Sequence, residues 1–222
     1  MKSNLRLIIG NKNYSSWSLR PWLLLHHFSI PFIEQQINLA APDFKQQIEH
    51  LSPTGKVPVL LTDDLVIWDS LAICEWINEN CLDGQAWPNR SNLRAIGRSI
   101  SAEIHSGFPM IRKLMPLNCR ARIAIPDMPS ALASEIVRVE EIWQQALDAS
   151  GGPWLLGSFS IADCMFAPAI LRLKTYGIEI EEPLASFCRH LRHCEAMKIW
   201  LAEAYQEVEV IESVEQLYSD KR

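Results

Sequence analysis

Leu51-Ser52-Pro53-Thr54-Gly55-Lys56-Val57-Pro58-Val59-Leu60-Leu61-Thr62-Asp63-Asp64-Leu65-Val66-Ile67-Trp68-Asp69-Ser70-Leu71-Ala72-Ile73-Cys74-Glu75 is the stretch on which the fold turns. Two short runs of apolar and β-branched residues flank Asp63-Asp64, the pattern of strand, turn, strand. A helical pattern begins directly after Asp69-Ser70, with no linker. Pro58 stands at the entry to the first run, where a missing N–H does no harm only at an edge or before pairing begins. Val57-Pro58 therefore reads as a kink ahead of the strand, and a cis bond is one way to make it. Such a kink turns the Val57 N–H and C=O outward, free to pair with an extended peptide. Asp69 and Ser70 open the following helix, whose free N–H groups and dipole suit a carboxylate. The two features predict a site for a short, extended peptide that carries an acid group.

Composition narrows the class. With 222 residues the chain can bury one large core or two modest ones. Its 48% hydrophobic and 21% charged residues are ordinary for a soluble globular protein. A formal net charge of -5 without a basic patch argues against nucleic acid and against an anionic membrane surface as partners. Met1-Lys2-Ser3-Asn4 leads into an apolar run shorter than a secretory core, and no apolar stretch is long enough to span a bilayer. The six cysteines show neither a Cys-x-x-Cys pair nor metal-like spacing with histidine, so no metal site is expected. They read as reduced thiols of a cytoplasmic protein.

Outward from the central stretch, Leu5 to Ile9 reads as a strand ended by Gly10. Residues 11–16 form a polar loop. A helix follows to about His27 or Phe28, and Pro21 restricts its start: Ser18 as N-cap would put Pro21 at the third helical position. Phe32 to Leu39 is a second strand, and Ala41 to Leu51 a short helix with Phe44 and Ile48 inward. Leu82 to Pro88 breaks all periodicity and is read as a linker between domains spanning 1–82 and 89–222. Everything beyond it reads helical. Pro109 kinks or divides a long segment from Leu93 to about Leu117. A clean helix runs from about Ser130 to Ala149, and Ser160-Ile161-Ala162-Asp163 opens another in the manner of a capping box. The tail from Gln206 is polar and expected to fray.

Gly55-Lys56-Val57-Pro58-Val59-Leu60, followed by Asp69-Ser70-Leu71-Ala72-Ile73, resembles the glutathione-binding half of the cytosolic glutathione S-transferases. Ser160-x-Ala162-Asp163 resembles that family's structural motif in its helical domain. The resemblance implies an α+β thioredoxin-like N-terminal domain followed by an all-α C-terminal domain, the glutathione transferase fold. It implies a homodimer with glutathione as co-substrate and a small electrophile as second substrate, in a detoxification role. Val57, before Pro58, would pair with the cysteinyl backbone; Asp69 and Ser70 would hold the γ-glutamyl end; Lys56 would reach the glycyl carboxylate. Asp69 is shorter than the family's usual Glu or Gln.

Tyr14-Ser15-Ser16-Trp17-Ser18-Leu19-Arg20 is similar to the start of a zeta-class, maleylacetoacetate isomerase-like enzyme. Trp17 stands where that class has cysteine, and Trp22 where it has a second arginine. The likeness makes Ser15 the first choice and Ser16 the second for the catalytic hydroxyl, with Tyr14 a rival. Arg20, His105, Phe108 and Arg112 are candidates for the second-substrate pocket. A thiol of pKa ~8.5 is only about 3% ionised at pH 7, and a hydroxyl donating to sulfur raises that fraction. Three alternatives to conjugation stay open: glutathione-dependent cis-trans isomerisation of the maleylacetoacetate type, disulfide or peroxide reduction, and a non-enzymatic interaction protein. Reduction would want a cysteine at position 15, where the chain has serine.

Overall fold

The computed structural model describes residues 4–218. In chain order the elements are β1 (Arg6–Ile9), α1 (Ser16–His27), β2 (Ile33–Gln36), α2 (Phe44–Glu49), β3 (Val59–Leu61), β4 (Val66–Trp68) and α3 (Ser70–Cys81). They continue with α4 (Ser91–Ser106), α5 (Pro109–Leu114), α6 (Ser130–Ser150), α7 (Ile161–Thr175), α8 (Leu184–His193), α9 (Glu195–Gln206) and α10 (Glu212–Glu215). The sheet order is β2-β1-β3-β4, with β1 and β2 parallel and the other two pairs antiparallel. A thioredoxin-like α+β layer thus precedes a run of helices, as the sequence implies.

Beyond the exposed Arg6, the central strands β1 and β3 are apolar because both faces of the sheet are covered there. Leu7, Ile9 and Leu60 face the large core under α1 and α3, while Ile8 and Val59 meet Ile37 and Ile48 on the α2 side. The large core is continuous with the helical part: α1 packs on α7 as well as on α3. Fully burying one Leu or Trp side chain contributes roughly 1.5–3 kcal/mol, and this shared core holds many.

Several boundaries differ from the sequence reading. The N-cap of α1 is Ser15, not Ser18: its Oγ accepts the Ser18 N–H at 3.4 Å, and the helix begins at Ser16. Pro21 then lies inside the helix rather than in its first turn. The lost backbone bond is offset by burial, since Leu19, Trp22, Leu23, Leu24 and Leu25 are all fully buried. Pro109 divides the long segment completely, with Phe108 in the left-handed region at φ 61 ending the break. Val57-Pro58 is cis. At the start of α7, the Asp163 carboxylate accepts the Ser160 N–H at 2.8 Å, the Ser160 hydroxyl at 2.9 Å and the Leu155 N–H at 3.0 Å.

The polar tail is not frayed up to residue 218. Glu207 accepts the backbone N–H groups of Lys12 and Asn13, at 2.5 and 2.9 Å. Glu215 accepts from Tyr14 at 2.5 Å and from Asn118 at 2.9 Å, and Tyr218 donates to the Leu114 carbonyl at 2.7 Å. A polar segment reads as loose only if its partners lie nearby in sequence; here they come from residues 12–14 and 114–118.

Candidate active site

Residues 54–58 and the start of α3 enclose a cavity of about 320 Å³, lined by Trp17, Thr54, Lys56, Val57, Pro58, Trp68, Asp69 and Ser70. All five residues expected to hold the peptide ligand therefore border one cavity. Among the described residues, neither the N–H nor the C=O of Val57 has a backbone partner. The Ser52 hydroxyl holds this turn by donating to the Lys56 carbonyl at 2.8 Å and accepting the Lys56 N–H at 3.2 Å.

Asp69 caps α3 while keeping one oxygen outward. Its Oδ1 accepts the Leu71 and Ala72 N–H groups at 2.9 and 3.2 Å. Its backbone sits at φ 76, a region costly for any residue with a Cβ, which tightly fixed surroundings must hold in place. The other oxygen, Oδ2, lies 2.8 Å from His105 Nε2. Burial works to raise this carboxyl, but the His105 hydrogen bond and the two helix N–H groups outweigh it and hold it below its ordinary range.

Behind Asp69 runs a chain of contacts reaching both parts of the protein. His105 Nδ1 is 3.4 Å from Arg20 Nη1, which donates to the Ser70 hydroxyl at 3.2 Å. The Trp17 ring stands between two guanidiniums, 4.3 Å from Arg20 and 4.7 Å from Arg112. Arg112 is tied to the end of α4 through the carbonyls of Ile104, His105 and Gly107. Burial, then the charges of Arg112 and Arg172, push Arg20 down to about 9, so it stays protonated at pH 7.

The three hydroxyls ahead of α1 face different ways. Ser15 Oγ donates to Ser18 Oγ at 2.7 Å, and Ser18 Oγ also accepts the Gly10 N–H at 3.1 Å. Ser16 Oγ accepts from Arg172 Nη2 at 3.0 Å. The Tyr14 phenol turns under the C-terminal segment, donating to Glu215 and accepting from Arg120 at 3.0 Å. Burial and Glu215 raise its pKa, the opposite of what a thiolate partner needs. Phe108 is packed in the core and does not line the cavity. Sequence reasoning missed Trp17, Thr54 and Trp68 as lining residues, although each adjoins or lies within a quoted motif. It also missed Arg172, which no local pattern connects to residue 16.

Residues 14–80 match the family model of the glutathione S-transferase N-terminal domain. The chain is 28% identical over 170 residues to the maleylacetoacetate isomerase of Rattus norvegicus, covering 74% of this chain and 76% of that protein. It is 26% identical to glutathione S-transferase 1 of Dianthus caryophyllus, over 76% and 78% of the two chains. Its fold superposes with a TM-score of 0.68 on a glutathione transferase homologue from Burkholderia solved with bound glutathione, at 18% identity over 92% and 99% of the chains. Residues 14–80 thus match a glutathione S-transferase N-terminal domain, and the chain beyond them is similar in sequence and fold to glutathione transferases and maleylacetoacetate isomerases.

Proposed function

We propose that the chain is a glutathione transferase that binds glutathione as co-substrate and attacks a small electrophile with a serine-stabilised thiolate. The observation that carries this reading is the single cavity bordered by Lys56, Val57, Pro58, Asp69 and Ser70. Val57's unpaired backbone suits the cysteinyl segment, and Asp69 Oδ2 suits the γ-glutamyl ammonium. Lys56, also lining the cavity, suits the glycyl carboxylate. Between the two serines, the hydrogen bonding favours Ser16 over Ser15, the first choice on sequence. Ser15's proton is given to Ser18, while Ser16 accepts a bond from Arg172 and keeps its own proton to donate. A hydroxyl donated to a thiolate contributes about 1.5–3 kcal/mol, which brings a bound thiol from about 3% to roughly 30–80% ionised at pH 7.

We place the electrophile beside Trp17, the lining residue around which Arg20, His105 and Arg112 gather. Homodimerisation is part of the proposal. Leu65, Val66 and Trp68, at 51, 45 and 46% exposure in and beside the edge strand β4, form an apolar strip that a second copy would cover. A cytoplasmic location accords with six free cysteines, and conjugation there would serve detoxification.

The rat relative favours one second reading, glutathione-dependent cis-trans isomerisation. Conjugation consumes one glutathione per product and isomerisation consumes none. Thiol loss measured beside product formation separates them. Calorimetry with glutathione tests the common premise: binding at millimolar concentration or tighter is expected, and none at all would leave only a non-enzymatic scaffold. Ser16→Ala should lower turnover at pH 7 at least tenfold with affinity little changed, and Ser15→Ala should act mainly on stability. The reverse pattern would return the thiol to Ser15.

A further inference from the structure

The serine assigned to the thiol has a buried cation at its back, supplied by a helix 156 residues further along the chain. Arg172 on α7 donates from Nη2 to Ser16 Oγ at 3.0 Å and from Nε to the Met115 carbonyl at 2.7 Å. Both partners are neutral, and the residue is 6% exposed. The charged and titratable groups around it are Arg112 from α5, Cys119, Tyr176 just beyond α7, and Arg20 from α1, which in turn meets His105 and through it Asp69. Among the described residues, none of its hydrogen-bond partners is a carboxylate. Burial and Arg112 bring its pKa down to about 10, so it carries its charge at pH 7. A buried charge with neutral partners is an expensive arrangement for the fold alone. An anion placed just beyond Ser16 would relieve it.

We propose that Arg172 is a positioning residue for the thiol chemistry, holding Ser16 Oγ so that the hydroxyl proton is directed at the glutathione sulfur. This rests on the glutathione reading above. The guanidinium occupies one lone pair of the serine oxygen, and the O–H turns away from it. In the step itself the S–H bond of glutathione breaks and its proton leaves to solvent. Ser16 keeps its own proton and donates it as a hydrogen bond to the sulfur anion. The Arg172 charge, one hydroxyl further back, adds to the positive end of α1. A well-directed hydrogen bond to the sulfur anion, near the upper end of what a bond to a charged group supplies, changes thiol acidity roughly 100-fold.

The test is an absorbance titration of the thiolate of glutathione bound to the unaltered protein, Arg172→Gln, Arg172→Lys, Ser16→Ala and the double variant Ser16→Ala/Arg172→Gln. Arg172→Gln should make the bound thiol about 100-fold less acidic and lower kcat at pH 7, with KM for glutathione within about threefold and much of the rate regained at high pH. Arg172→Lys, which keeps the charge, should recover a substantial part. In the Ser16→Ala background, Arg172→Gln should change thiol acidity much less, because the route through the hydroxyl is already gone. If Arg172→Gln does not fold, Ser16→Ala decides, since the route requires that it reproduce the acidity loss. An unmoved titration in either variant, or an equal effect of Arg172→Gln in both backgrounds, overturns the proposal. A glutathione thiol that binds to the unaltered protein and titrates as it does free in solution also overturns it, while leaving the glutathione site intact. No binding to the unaltered protein overturns the glutathione reading itself.

Discussion

Asp69 caps α3 with one oxygen and presents the other to His105 at the edge of the cavity, and a single substitution separates the two. Asp69→Asn keeps an acceptor at the Oδ1 position, so the Leu71 and Ala72 N–H groups stay capped and the unusual φ of 76 is still tolerated. Stability should change by a few tenths of a kcal/mol. What it removes is the charge on the oxygen that faces His105 and borders the cavity. A carboxylate and an ammonium ~4 Å apart interact by ~4 kcal/mol at an effective dielectric of ~20. The Asp69 side chain is 40% exposed, so screening reduces that to about 1–2 kcal/mol. The KM for glutathione should therefore rise about 5- to 30-fold, with kcat nearly unchanged, because the contact is the same in ground and transition states. The assay is steady-state kinetics with glutathione varied against a saturating chloronitroaromatic electrophile, beside a urea melt. Asp69→Gly is the control: it relaxes the backbone but loses both cap and charge, so it should match Asn in KM and differ in stability. The pH dependence follows from the lowered carboxyl. Its contribution is present above about pH 3.8, the ordinary value, and is lost only as pH falls through the lower folded value. Loss of kcat with KM intact in Asp69→Asn would refute the assignment of this residue to binding.

Two further outcomes are expected. Ser70→Ala removes an acceptor from Arg20 and a cavity wall hydroxyl, and should raise KM for glutathione more than it lowers kcat in the same kinetics. Asp163→Asn strips a buried carboxylate from two backbone N–H groups and the Ser160 hydroxyl, and should cost about 3–5 kcal/mol in denaturant unfolding. Burial raises Asp163 to about 7, against its hydrogen bonds, so its protonation stabilises the fold fully below about pH 3.8 and that stabilisation is lost as pH rises through about 7. The Asn variant should lose that slope.

Features set by near neighbours along the chain are legible in the amino-acid sequence alone: the strand-turn-strand-helix of 57–81, the cap at Asp69 and the box at Ser160–Asp163. Each depends on turn chemistry and helix termini, which act locally. The start of α1 is not legible in this way, because the proline rule taken by itself puts the cap at Ser18. The observed helix accepts Pro21 in its interior, and a buried apolar face from Leu19 to Leu25 outweighs the missing bond. The tail and Tyr14 mislead together, since Glu215 and Tyr14 satisfy each other across 201 positions. Trp22 shows why a departure from a motif need not weaken a fold. It is fully buried, donates to Glu34 at 2.5 Å, and lies under the Lys12 ammonium beside Trp200.

The electrostatics of the site run against those of the whole chain. The formal charge is -5, yet Arg20, Arg112 and Arg172 gather behind the cavity around Trp17 and Ser16, the first and last of them buried to 2 and 6% exposure. Arg112 opposes the charge of both others, and Arg20 also feels Arg172. Trp17 eases this crowding by offering its ring face to two guanidiniums, an attraction of about 0.5–2 kcal/mol each depending on desolvation. A cysteine at position 17 would provide no such face. The carboxylate nearest them, Asp69, is already shared with His105. Glutathione brings two carboxylates and one ammonium, and ionising its thiol adds a further negative charge. A pocket biased positive at the sulfur end, with one acid reserved for the ammonium, suits the ionised form better than the neutral one. The tryptophan that interrupts the zeta-like motif is thus part of how this chain tolerates the cations its thiol chemistry would draw on.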